Sequence, residues 1–112
     1  MKLYLSGPMT GYLKYNRPRF NEAAQFLRKN GFDVFNPAEI GLDDWVSAIK
    51  VGVRNLPDYH ALVQLEGWDK SRGARLEKYI ADHLCMEIWQ YNAIEEHLAR
   101  YRAISGFVTS GG

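Results

Sequence analysis

An α/β domain, a parallel sheet of about four strands with helices on both faces, is the fold this chain predicts. Three observations lead there. Short apolar runs of strand length alternate with segments of helical period, Gly and Pro breaks separate them, and 112 residues make one domain with a single core. Strands and helices alternating at this spacing require parallel strands joined by right-handed crossovers. Ligands then bind beyond the carboxyl ends of the strands, near the topological switch point.

Lys2 to Ser6 reads as the first strand, closed by Gly7-Pro8. Pro18 opens a helix at a favoured first position, with Asn16 near its cap. Phe20, Ala23, Ala24 and Leu27 give its i, i+3, i+4, i+7 stripe, and Gly31 stops it. Phe32 to Phe35 is the second strand, turned off by Asn36-Pro37. Asp43 or Asp44 caps a second helix carrying Trp45, Ile49 and Val53, which ends by Pro57. His60 to Leu65 is the third strand. Gly73 to Leu84 follows as a helix, Cys85 to Tyr91 as the fourth strand, and Ala93 to Arg102 as the last helix. Residues 1–105 thus form the domain and 106–112 a flexible tail.

Hydrophobic residues make up 46% and charged residues 24%, the composition of an ordinary soluble globular protein. A formal net charge of +1 argues against a broad nucleic-acid-binding face. Lone Cys85 cannot form an internal disulfide and is expected to pack as a reduced thiol, in a cytoplasmic setting. The Met1 to Leu5 segment is too short for a signal peptide, and no run approaches the roughly 20 apolar residues of a membrane span.

The most informative residue is Glu77. At about 100° per residue, Gly73, Leu76, Ile80, Ala81 and Leu84 share one helical arc, opposite Arg75, Lys78 and Asp82. Glu77 falls inside the apolar arc, about one turn from a helix start built of Ser71 and Gly73. Burial raises the pKa of such an acid and the helix N-terminus lowers it, which suits a carboxylate that attacks or stabilises a cation. The alternative is a structural acid, held by backbone N–H groups or paired with Arg72 or Arg54.

Topology brings other chemistry to the same edge. Ser6-Gly7-Pro8-Met9-Thr10-Gly11 follows the first strand where a phosphate loop would sit, but lacks both the G-x-G-x-x-G spacing and the Walker lysine; a plain tight turn is the other reading. Ser71 beside Gly73 offers free N–H groups to an anion, with Arg72 and Lys70 adding charge, or serves simply as an N-cap. Tyr4, Tyr12, Trp45 and Trp68 could stack a nucleobase. Tyr4 and Trp45 fit the core better, and Trp68 is the best placed of them. His60, His83 and His97 show no metal-ligand spacing, and with a lone Cys there is no zinc signature; no cofactor is expected.

Taken in order, Ser6-Gly7-Pro8-Met9-Thr10-Gly11, Asn16-Arg17-Pro18, Asn36-Pro37-Ala38-Glu39 and Gly67-Trp68-Asp69-Lys70-Ser71-Arg72-Gly73-Ala74 carry a likeness. From Lys2 to about Leu84 the chain resembles the nucleoside 2-deoxyribosyltransferase superfamily, in its small phage- and bacteria-associated branch. The resemblance implies a flavodoxin-like, Rossmann-like domain that cleaves or exchanges the N-glycosidic bond of a 2′-deoxynucleoside or its 5′-phosphate. It puts the attacking glutamate at Glu77, an aromatic residue lining the sugar site at Tyr4, and a phosphate-holding serine at Ser71, which favours nucleotides. Gly7, Pro8, Met9, Thr10, Trp68, Arg72 and Gly73 complete the substrate-binding set. It also implies a homodimer or larger assembly.

Two positions depart from that pattern. Where the family carries an aspartate on the second helix and another eight residues on, this chain has Gly52 and His60. The helix aspartate assists the departing base, a contribution of ~10²–10⁴ in rate; His60 could offer the proton instead or be structural at the opening of a buried strand, and Asp58, fixed in a turn by Pro57, could partly compensate. Two functions stay open: an N-glycosidase or transferase, and a catalytically weakened protein of the same fold that binds or sequesters a nucleotide. A third is an interaction scaffold pairing subunits through Ile94, Leu98 and Tyr101.

Overall fold

Strand β1 (Lys2–Ser6) alternates its side chains strictly, and that alternation organises the molecule. The computed structural model describes residues 1–41 and 44–110, with the side chains of residue 45 and residues 105–110 outside that description. β1 lies between β2 (Asp33–Phe35) and β3 (Ala61–Gln64), and β4 (Glu87–Gln90) flanks β3. Every pairing is parallel, with Tyr4 opposite Leu62 and Ser6 opposite Gln64. The order β2-β1-β3-β4 is that of flavodoxin-type doubly wound sheets, whose switch point lies between β1 and β3.

Leu3, Leu5, Ala61 and Val63 point to one face. There they meet Phe20, Ala23 and Leu27 of α1 (Arg17–Lys29) and Ile94 and Leu98 of α4 (Ile94–Ser110). Tyr4 and Leu62 point to the other face, against Leu56 and Ala81. That second layer is α3 (Arg72–His83), with α2 (Trp45–Asn55) packed beside it. The expected α/β architecture is therefore present. Among the described residues no helix is long and apolar enough to cross a membrane.

Several local expectations change. Asn16 does not cap α1 with its side chain; its Nδ2 donates to the Pro8 carbonyl at 2.9 Å and ties down the β1–α1 loop. Asp44 caps α2, accepting from the Ser47 amide at 2.9 Å, whereas the alternative Asp43 lies outside the described residues, as does the Trp45 side chain. On α3 the buried face is Ala74, Glu77 and Ala81, while Leu76 and Leu84 are exposed. The helix is rotated so that alanines, which permit close approach, face its neighbours. Ile94 and Leu98 are buried against the sheet, so they cannot form the outer face that the scaffold reading required. α4 runs on to Ser110, through most of the stretch read as a tail, and Gly111 and Gly112 lie outside the described residues.

Two helices end alike. After α1, Gly31 (φ +93°) donates to the Arg28 carbonyl at 3.0 Å and Phe32 to the Leu27 carbonyl at 3.3 Å, a Schellman cap. After α3, Cys85 takes the glycine's place at φ +56°, donating to Asp82 at 3.2 Å while Met86 donates to Ala81 at 3.0 Å. Cys85 is accordingly exposed, not packed, and the cap delays β4 to Glu87. A side chain in the left-handed region costs about 1 kcal/mol that glycine does not pay. Cys85→Gly is expected to raise the melting temperature by about 3–6 °C; calorimetry showing no rise would contradict the cap assignment.

Candidate active site

Because β1 alternates, Tyr4 and Ser6 both face α3, and the inner face of α3 presents Glu77 to them. The Tyr4 hydroxyl donates a hydrogen bond to Oε2 of Glu77, and Ser6 Oγ donates to Oε1 at 2.7 Å. Glu77 is only 9% exposed. Burial pushes its carboxyl up to about 7, and the two hydroxyls hold it below where burial alone would leave it. No guanidinium enters this balance, so the pairing with Arg54 or Arg72 that a structural acid invites is not what sets it. The Tyr4 phenol is pushed well above its ordinary range, first by burial and then by the carboxylate beside it. Tyr4 is thus core and site at once, stacked on Phe35 with ring centroids 4.7 Å apart.

Removing the phenol removes one of the two bonds that favour the ionised acid. Tyr4→Phe is expected to raise the Glu77 carboxyl by roughly one unit above its native value. Carboxyl ¹³C shifts followed through a pH titration read this directly; an unchanged or lower midpoint would contradict the arrangement.

Tyr4 and Glu77 line a cavity of about 420 Å³ at the carboxyl edge of the sheet. The β1–α1 loop supplies Gly7, Pro8, Met9, Thr10, Tyr12 and Tyr15, and α3 supplies Ser71, Arg72, Gly73 and Ala74 from its start, with Lys70 just before. Phe35 from the end of β2, Pro37 and Ile40 from beyond it, and Asp44, Ala48 and Ile49 from the start of α2 form a further wall. The loops are locked together. A Cβ on Gly7 would lie 2.9 Å from Leu65 Cβ, and one on Gly67 (φ +88°) would lie 2.7 Å from the Tyr12 hydroxyl. Lys14, Tyr15 and Asn16 are all left-handed, and Tyr15 from this turn lines the cavity.

Gly52, on α2, lies against the Tyr4–Glu77 pair. A Cβ there would overlap the Tyr4 hydroxyl and lie 3.0 Å from Oε2 of Glu77. The glycine is what lets α2 pass over the hydrogen-bonded pair, a role that sequence spacing did not suggest.

Of the expected binding residues, Tyr4, Gly7, Pro8, Met9, Thr10, Ser71, Arg72 and Gly73 come together around Glu77. Ser71 caps α3, its Oγ accepting from the Ala74 amide at 3.2 Å, and still faces the cavity. Trp68 does not line it. The left-handed turn at Gly67 folds 68–70 into a 3₁₀ turn that returns Lys70 and Ser71 to the cavity instead of the indole. Tyr12, Tyr15 and Phe35 are the aromatic walls. His60 is also misplaced as an acid: it lies exposed at the amino end of β3, where its Nδ1 accepts from the Lys2 amide at 2.9 Å. Among the described residues no three His, Cys, Asp or Glu side chains gather as a metal site would need.

Fold and cavity together define a small parallel α/β domain with an acid-floored pocket at the carboxyl edge of its sheet. The chain belongs to the family described as Domain of unknown function (DUF4406), whose model matches residues 1–90. That span ends with β4 and contains every residue lining the cavity. No curated protein matches the chain.

Proposed function

We propose that this protein breaks or exchanges the N-glycosidic bond of a 2′-deoxynucleoside 5′-phosphate, with Glu77 as nucleophile. The observation that carries the reading is the buried Glu77 carboxylate, fixed by Tyr4 and Ser6 and opening on a cavity. Its volume of about 420 Å³ falls in the range of small-molecule pockets, roughly 300–1,000 Å³. The ionised carboxylate attacks the anomeric carbon as the base departs, passing through an oxocarbenium-like transition state to a glycosyl ester. Water, or a second base, then displaces the ester and frees Glu77.

The rest of the lining divides the substrate. The first N–H groups of α3 and the Arg72 side chain suit a 5′-phosphate. Tyr12, Tyr15 and Phe35 suit the planar base. The resemblance to nucleoside 2-deoxyribosyltransferases in the Gly-Pro-Met-Thr-Gly and Ser71-Arg72-Gly73 segments supports the same division. A homo-oligomer in the cytoplasm belongs to this reading, and sedimentation tests its first half.

Chromatographic detection of free base from matched nucleosides and nucleoside 5′-monophosphates tests the proposal. Hydrogen bonds to a charged group each contribute about 1.5–3 kcal/mol, so the phosphates are expected to be preferred by about tenfold or more in kcat/KM. Equal turnover of the nucleosides would remove the phosphate assignment. Absence of released base, with nucleotides still bound, would leave a nucleotide-binding protein.

A further inference from the structure

A neutral base leaves a sugar poorly unless it is protonated as it goes, and the described residues set no protonated carboxylic acid other than Glu77, and no imidazole, in the cavity to do so. Gly52 lies against the Tyr4 hydroxyl and Oε2 of Glu77, so a proton-donating side chain at that position of α2 would displace the pair. His60 is at the opposite edge of the sheet. Asp44 does line the cavity, but Ser47 donates to its carboxylate from both Oγ (2.8 Å) and the amide (2.9 Å). Those bonds hold it below the usual carboxylate range, so at neutral pH it is an anion with no proton to give. The Tyr4 proton is committed to Glu77. Among the described lining residues other than Glu77, then, no carboxylic acid stands protonated and there is no imidazole.

The same wall is well made for something else. Tyr12, Tyr15 and Phe35 line the same cavity as an ionised Asp44, with Lys70 and Arg72 on its α3 side. Aromatic faces with a carboxylate beside them attract flat cations.

We propose that the favoured substrates are nucleotides whose heterocycle already carries a positive charge, a ring N-alkylated purine or a pyridinium, so that the departing group needs no proton. This rests on Glu77 acting as the nucleophile. In the first step a Glu77 oxygen bonds to the anomeric carbon as the carbon–nitrogen bond breaks. The electron pair of that bond neutralises the ring, which departs as a neutral heterocycle. In the second step a water oxygen bonds to the same carbon, the ester's electron pair returns to Glu77, and the water proton passes to solvent. A cation bound in the cavity also favours the ionised form of Glu77, which burial otherwise opposes.

The test compares N7-methyl-2′-deoxyguanosine 5′-monophosphate with unmodified 2′-deoxyguanosine 5′-monophosphate. Sugar, phosphate and ring system are shared; one methyl group and its charge differ. Free base is measured with the native chain and with Glu77→Gln, after subtraction of spontaneous release. Missing acid assistance is worth about 10²–10⁴ in rate, so a preference for the methylated nucleotide of at least 100-fold in kcat/KM is expected, lost in Glu77→Gln. An enzyme that protonates its own leaving group flattens this difference. Comparable kcat/KM values, both abolished by Glu77→Gln, would overturn the substrate class and leave the nucleophile standing. No enzymatic release from either nucleotide, or undiminished release by Glu77→Gln, would overturn both.

Discussion

Glu77→Gln is expected to release free base at least ~10⁴-fold more slowly than the native chain, yet to unfold at a higher temperature above pH 7. The loss of rate follows from the chemistry. An amide oxygen is a poor nucleophile, and the variant keeps the cavity, the α3 N-terminus and the aromatic walls, so binding survives while the bond-breaking step does not. The gain in stability follows from the proton. Glu77 is held protonated up to about 7 in the folded chain, against an ordinary 4.5. Below pH 4.5 both folded and unfolded chains carry the proton and the group is neutral to stability. Between pH 4.5 and about 7 the unfolded chain gives it up first, so folding stability falls as pH rises, by on the order of 3 kcal/mol in total. Above pH 7 the loss is constant. Glutamine cannot ionise and accepts from Tyr4 in the same way, so the variant escapes the loss. Thermal unfolding at pH 5 and pH 8 reads the difference; a variant less stable at both values would contradict a desolvated acid.

Gly52→Ala is the second large effect, and its two consequences oppose each other. Alanine in a helix is favoured over glycine by about 1 kcal/mol. Its methyl group, however, would overlap the Tyr4 hydroxyl and press on Oε2 of Glu77 at 3.0 Å. Overpacking of that kind costs ~1–3 kcal/mol, so the net destabilisation is small to moderate and the fold survives. The carboxylate does not keep its place. Displacing a reacting group by about 1 Å costs on the order of 10²-fold, and kcat is expected to fall by that factor with KM little changed. Kinetics with full activity retained would mean that Glu77 is not held by this contact.

Much of the fold was legible because it rests on local pattern. The alternation in Lys2–Ser6, the Phe20–Leu27 stripe and the stops at Gly31 and Asn36-Pro37 each act within one element. Glu77 was legible as an acid among apolar neighbours, although the face it shares is that of Ala74 and Ala81 and not that of Leu76 and Leu84. What stayed hidden depends on backbone direction or on contacts between distant segments. Trp68 is carried aside by a left-handed turn at Gly67, and Cys85 surfaces because it occupies a helix cap. His60 opens its strand at the edge away from the cavity. Gly52 reads as an empty position in the sequence, and only its approach to the Tyr4–Glu77 pair reveals what the emptiness is for.

A 2′-fluorinated 2′-deoxynucleoside 5′-phosphate slows formation and breakdown of an oxocarbenium-like centre, and so lets a covalent intermediate accumulate. Intact mass and peptide mapping after mixing are expected to show one fluorinated sugar phosphate per chain, attached at Glu77 and absent from Glu77→Gln. Base liberated while Glu77 remains unmodified, or a label lodged on another side chain, would contradict the account.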